Sequence, residues 1–141
     1  MQIKLSTRIV ILVADVAIKI PKLPVWKKRF WHYYLEGLRQ NRNEIDWWER
    51  THDGRLCPIK THFLGGQILV MQRATQLTEQ QFKEYFPHPS SLEEYFDNSY
   101  TYPDCELTTS YMPYEHKSDG FGLLSGKVIA LDYGNDDLPN L

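Results

Sequence analysis

The stretch Val16-Ala17-Ile18-Lys19-Ile20 decides how this chain is read. It is rich in the β-branched residues that suit a pleated surface, and a second such run, Arg8–Val13, precedes it across Ala14-Asp15. The two read as a pair of short strands that Pro21 and Pro24 bring to an end. Period-two alternation puts Val16, Ile18 and Ile20 on one face of the second strand and Ala17 and Lys19 on the other. A lysine on such a strand is costly to bury unpaired, so the pattern predicts an acidic partner for Lys19.

That partner is expected on the next element. From Val25 to about Arg50, Trp26, Phe30, Trp31, Tyr34, Leu35, Leu38, Ile45 and Trp48 recur every three to four residues, which reads as one long helix or two helices broken near Gly37. Glu44 lies on the Asn41/Trp48 stripe at the edge of the apolar face, and is expected within about 4 Å of Lys19, in ion-pair range, or facing the same cleft. Pro58–Phe63 and Gln67–Gln72 follow as a hairpin around Gly65-Gly66, left by the connector Met71-Gln72-Arg73-Ala74. Thr78-Glu-Gln-Gln81 is a capping box for a short helix through Phe86, and Ser91-Leu-Glu-Glu94 opens another. Residues 97–114 show no period. A last hairpin pairs Phe121–Leu124 with Lys127–Asp132 around Ser125-Gly126. The reading is a single α+β domain with a mixed or antiparallel sheet of five or six strands and a long helix across one face.

Length and composition suit that reading. The chain has 141 residues, 42% hydrophobic and 24% charged, enough for one domain to bury a core without disulfides or a structural metal, and unlike a disordered, collagenous or repetitive protein. Cys57 and Cys105 are too few and too isolated for a disulfide framework or a Cys-x-x-Cys site, which points to a reducing, cytoplasmic setting. Cys57 beside Pro58 reads as a small buried hydrophobe. The longest apolar run, Ile9–Ala14, is far short of the ~20 residues of a membrane helix, so no membrane association is expected. His32, His52, His62, His88 and His116 have no metal-ligand spacing. Charge is distributed unevenly: residues 1–42 carry nine Lys/Arg against two acids (+7), and residues 76–141 carry three against twelve (−9). Fields of opposite sign suit a protein partner steered electrostatically better than nucleic acid.

Four features then stand in order: Val16-Ala-Ile-Lys19, Glu44 on the following helix, a connector after the central hairpin, and Leu131-Asp-Tyr-Gly134 after the last hairpin. That order resembles a protein kinase, in which the strand lysine reaches the α/β-phosphates of ATP and pairs with a helix glutamate, while the aspartate of Asp-Phe-Gly holds Mg²⁺. The resemblance implies a small lobe over residues 1–74, a reduced helical large lobe over residues 75–141, and ATP and Mg²⁺ as cofactors. It assigns nucleotide binding to Ala17, Lys19, Glu44 and Asp132, with Asp132 as the metal ligand and Gln72-Arg73-Ala74 as the hinge.

The sequence departs from the family at the catalytic loop. Where kinases carry Asp-x-Lys-x-x-Asn, this chain has Glu115-His-Lys117-Ser-Asp-Gly120. The base is one methylene longer and the metal-binding asparagine is a glycine, with Asp119 next to it. No glycine precedes Val16 to close the backbone over phosphates, and only seven residues follow Gly134. The chain thus resembles the short, degenerate kinase-like proteins found in some bacteriophage genomes, and the expected function is that of a pseudokinase acting by binding. Two alternatives stand beside it: an active kinase using Glu115 as base, with Lys117 and Asp132, and a phage-encoded inhibitor or interaction protein that takes no nucleotide.

Overall fold

A computed structural model describes residues 1–5, 8–22, 30–96 and 117–134. The first unit is a five-stranded antiparallel sheet built from β1 (Gln2–Leu5), β2 (Arg8–Val13), β3 (Val16–Pro21), β4 (Ile59–Phe63) and β5 (Ile68–Gln72), in the order β1-β2-β3-β5-β4. The helix α1 (Phe30–Thr51) lies between β3 and β4 in the chain. The second unit is a three-stranded antiparallel sheet of β6 (Thr75–Gln76), β7 (Phe121–Leu124) and β8 (Lys127–Ala130), with the short helices α2 (Glu79–Tyr85) and α3 (Pro89–Tyr95) between β6 and β7. The α+β class, the antiparallel pairing and the long helix agree with the sequence reading.

Several details differ. The described residues hold eight strands in two sheets rather than five or six in one. Gln2–Leu5 is a strand, paired with β2 in the register Gln2↔Leu12 and Lys4↔Val10, although it is too short to carry a pattern of its own. Helix α1 runs unbroken through Gly37, which is buried. A single interior glycine costs only ~1 kcal/mol relative to alanine, less than the packing of a 22-residue helix supplies. Strand β8 stops at Ala130, leaving Leu131-Asp132 outside the ladder. The capping box is present, with Gln81 N donating to Thr78 Oγ1 (3.1 Å) and Thr78 N to Gln81 Oε1 (3.0 Å).

One core serves both units. Ile45, Trp47, Leu56, Leu69 and Met71 pack into the same cluster as Leu77, Phe96, Phe121, Ile129 and Tyr133. Phe82, Phe86, Tyr95, Phe96 and Phe121 form an interlocked set of rings beside β7, with centroids 5.0–5.8 Å apart. Not every aromatic is internal: Trp31, Tyr33, Phe63 and Tyr85 are exposed. Period two holds in β3, but burial follows neighbours rather than polarity. Ala17 and Lys19 face the rest of the molecule and are buried, while Val16, Ile18 and Ile20 on the opposite face are only half-buried.

Candidate functional site

The register of the first sheet lines up one face. Arg8, Val10 and Leu12 of β2 stand beside Pro21, Lys19 and Ala17 of β3, and Ala17 and Lys19 stand beside Met71 and Leu69 of β5. This face forms the roof of a cleft of about 600 Å³, closed on other sides by Gln72–Thr75, Asp119, Leu131 and Asp132. Its walls are apolar at Val10, Leu12, Ala17, Met71 and Leu131, and Lys19, Arg8 and Asp132 stand together among its charged residues, which also include Lys4, Asp15, Arg73 and Asp119. Lys4 of β1 donates to Gln76 Oε1 of β6, tying the two sheets together at the cleft.

The charged end is a four-residue cluster. Lys19 Nζ donates to both oxygens of Glu44 (2.9 and 3.0 Å) and to the carbonyl of Leu131 (2.7 Å). Glu44 is fully buried and also accepts from Arg8 Nη2 (3.0 Å) and from the backbone N–H of Tyr133 (3.3 Å). The same Arg8 nitrogen donates to Asp132 Oδ1 at 2.6 Å. Asn41, one turn before Glu44 on α1, completes the set: its Oδ1 accepts from Arg8 (3.0 Å), and its Nδ2 donates to the carbonyls of Lys19 (3.1 Å) and Gly66 (2.8 Å). Buried charges are tolerable only when paired and hydrogen-bonded, and here two cations meet two carboxylates.

The segment after β8 is held as tightly. Tyr133 is fully buried, its hydroxyl donating to the carbonyl of Cys57 at 2.8 Å. Burial, together with the nearby Glu44 and Cys57, pushes its ionisation well above the ordinary range. Gly134 lies flat against α1: a methyl group there would collide with the Gln40 carbonyl and sit 3.0 Å from Glu44 Cγ. Burial opposes ionisation of Asp132, but Lys19 and Arg8 outweigh it and hold the carboxyl below its usual value. Burial pushes the Cys57 thiol up to about 11, which keeps it protonated and inert.

The sequence-predicted residues are distributed as follows. Lys19 and Glu44 meet, and Asp132 joins them through Arg8. Ala17 lines the cleft beside Lys19, and Gln72-Arg73-Ala74 borders it. Lys117 is exposed and borders a separate hollow with Glu79, Phe82 and Lys83. Glu115 lies outside the described residues. Arg8 and Asn41 were not anticipated as part of the site. Asn41 shares the helix stripe of Glu44, a usable signal, whereas nothing local marks Arg8, whose partner is 124 positions away.

The donor set does not suit Mg²⁺. Asp132 already binds a guanidinium through Oδ1, both Glu44 oxygens are occupied, and Gly120 carries no side chain that could ligate a metal. Among the described residues no group of three His, Cys, Asp or Glu side chains is placed to hold a metal. No described helix is long and apolar enough to cross a membrane. The chain matches no family model, no curated protein and no solved structure.

Proposed function

We propose that this chain is a degenerate kinase-like protein that acts by binding: it holds a nucleotide in the cleft and regulates a protein partner. The observation that carries the reading is the convergence of Lys19, Glu44 and Asp132 at one end of a cleft lined by both apolar and polar side chains. Residues from a strand, a helix and the segment after a distant hairpin meet there, in the chain order the kinase resemblance implies. A helix between the third and fourth strands of a five-stranded antiparallel sheet is in keeping with it. In this reading the base lies against Ala17 near Gln72–Ala74, and the phosphates lie toward Lys19.

Phosphoryl transfer is not part of the proposal. A base displaced by one methylene at Glu115 loses alignment, where about 1 Å can cost ~10²-fold, and Gly120 cannot ligate a metal. With labelled ATP and generic acceptors, the chain is expected to show no transfer above an Asp132→Ala control. Turnover that this control abolishes would replace the binding role by an active kinase.

Isothermal titration with ATP tests the binding role. Lys19→Met removes one of the two cations that compensate Glu44, so it weakens the fold as well as the site. Ala17→Leu is the cleaner variant, because it fills the cleft without touching an ion pair. Wild-type binding that Ala17→Leu abolishes supports the proposal, and equal affinity in the two proteins contradicts it.

One observation favours a second reading, an interaction protein with no nucleotide. The three donors of Lys19 are already taken by Glu44 and Leu131, so the cluster is complete without a ligand. Absence of ATP binding by the wild type would select that reading. In either case the partner is a protein drawn by the charge asymmetry. Glu93 and Glu94 are exposed on α3, while Lys27, Lys28, Arg29, Asp97, Asp104, Glu106, Asp136 and Asp137 lie outside the described residues.

A further inference from the structure

The Arg8 guanidinium occupies an unusual position. A single nitrogen, Nη2, contacts Glu44 Oε1 at 3.0 Å and Asp132 Oδ1 at 2.6 Å, while Nη1 is anchored by Asn41 Oδ1 at 3.0 Å. Arg8 is almost entirely buried, and burial works against its charge, but Glu44 and Asp132 more than restore it. The guanidinium therefore stays charged at any pH where the protein is folded. It bridges two carboxylates at the charged end of the cleft and takes up Asp132 Oδ1.

We infer that Arg8 stands in the seat of a divalent cation, so that the cleft takes its nucleotide metal-free. This inference rests on the nucleotide reading above and specifies the ligand's form. In a kinase an aspartate beside the phosphates would repel them, and Mg²⁺ reverses that repulsion. Here Asp132 faces the cleft with its side chain 48% exposed, and its charge is matched by a fixed protein cation at 2.6 Å. Lys19 likewise matches Glu44. Within this four-residue cluster two cations and two carboxylates cancel, so it presents no net negative charge to a polyphosphate, even without metal.

Three further features agree. Gly120 leaves no second ligand where the resemblance places one. Arg8 opens the strand that follows directly on β1, with no glycine-rich stretch between them, so the phosphates would meet a side chain rather than a ring of backbone N–H groups. Asn41, fully buried and bonded on both sides, fixes the guanidinium in place and leaves it little freedom to withdraw for an incoming ion. Asp119 also borders the cleft and is the residue that could recruit a cation in competition.

The test measures ATP affinity with EDTA and with excess Mg²⁺, and Mn²⁺ binding by the nucleotide-free protein through water-proton relaxation. Wild-type affinities within about twofold of each other in the two conditions are expected, a difference well under the 1.4 kcal/mol of a tenfold change. No Mn²⁺ site is expected on the free protein. Arg8→Ala should lose tenfold or more of its affinity in EDTA and regain part of it in Mg²⁺, a metal dependence that a purely structural role for Arg8 would not create. Should Arg8→Ala fail to fold, the wild-type measurements decide alone. Wild-type binding that requires Mg²⁺, or a Mn²⁺ site lost in Asp132→Asn or Asp119→Asn, would overturn the inference and leave the nucleotide reading intact. Absence of ATP binding in both conditions would overturn that reading and this inference with it.

Discussion

Two ionic groupings in this molecule use the same chemistry at different distances along the chain. Asp53 and Arg55 are two residues apart, joined by Arg55 Nη2 to Asp53 Oδ2 at 2.6 Å and Arg55 Nε to Oδ1 at 2.9 Å, with the Arg55 backbone N–H also on Oδ1. This is a turn clamp, and closing so short a loop costs little chain entropy. The Arg8–Lys19–Glu44–Asp132 cluster instead joins β2, β3, α1 and the segment after β8. It forms only when all four are in place. The clamp holds one turn, whereas the cluster reports that the fold has assembled and borders the cleft where a ligand would bind.

The contrast is sharpest at Glu44. Glu44→Ala leaves Arg8 and Lys19 without their shared counter-charge and should cost about 3–5 kcal/mol in urea unfolding, as breaking a buried pair does. Asp53→Ala should cost less, about 1–3 kcal/mol, because Arg55 keeps the carbonyl of Tyr95 at 3.3 Å. Equal costs would show that long-range assembly adds nothing to the cluster. Gly134→Ala, which drives a methyl group into the backbone of α1, should cost about 1–3 kcal/mol by the same measurement. An unchanged midpoint would mean that Leu131–Gly134 is not held against the helix.

A smaller effect is expected from pH. The Asp132 carboxyl is held below its ordinary value of 3.8, so its contribution is complete above that value and is lost as pH falls through the lower folded value. Wild type should therefore lose stability more steeply than Asp132→Asn on acidification below 3.8. Parallel curves would place Asp132 outside the cluster's energetics. At the bottom of the scale, the exposed pair Lys60–Asp15 marks the surface limit, and Lys60→Ala should leave the urea midpoint unchanged.

How much of this was legible follows the same division between near and far. Lys19 stood out because a strand's period is two and its neighbours are apolar, and Glu44 because it sat on a helical stripe; each is a local pattern. That the two should pair followed from the cost of an unpaired buried charge. Arg8 was invisible, since an arginine at a strand's start is unremarkable until Asp132 arrives from the other end of the chain. The two-residue β6 and four-residue β1 owe their conformation to their neighbours, and such elements carry no period to read. At β3 the lysine face is the more buried because α1 and the cleft elements cover it, and the isoleucine face is left half-open.

The most direct test of the proposed nucleotide role of the cleft is an amide chemical-shift titration of the isotope-labelled protein with ATP. Saturable shifts at Ala17, Lys19, Gln72–Ala74 and Asp132–Tyr133, with little change in α3, are the predicted result. Absence of shifts, or shifts confined to residues that do not border the cleft, would contradict the account.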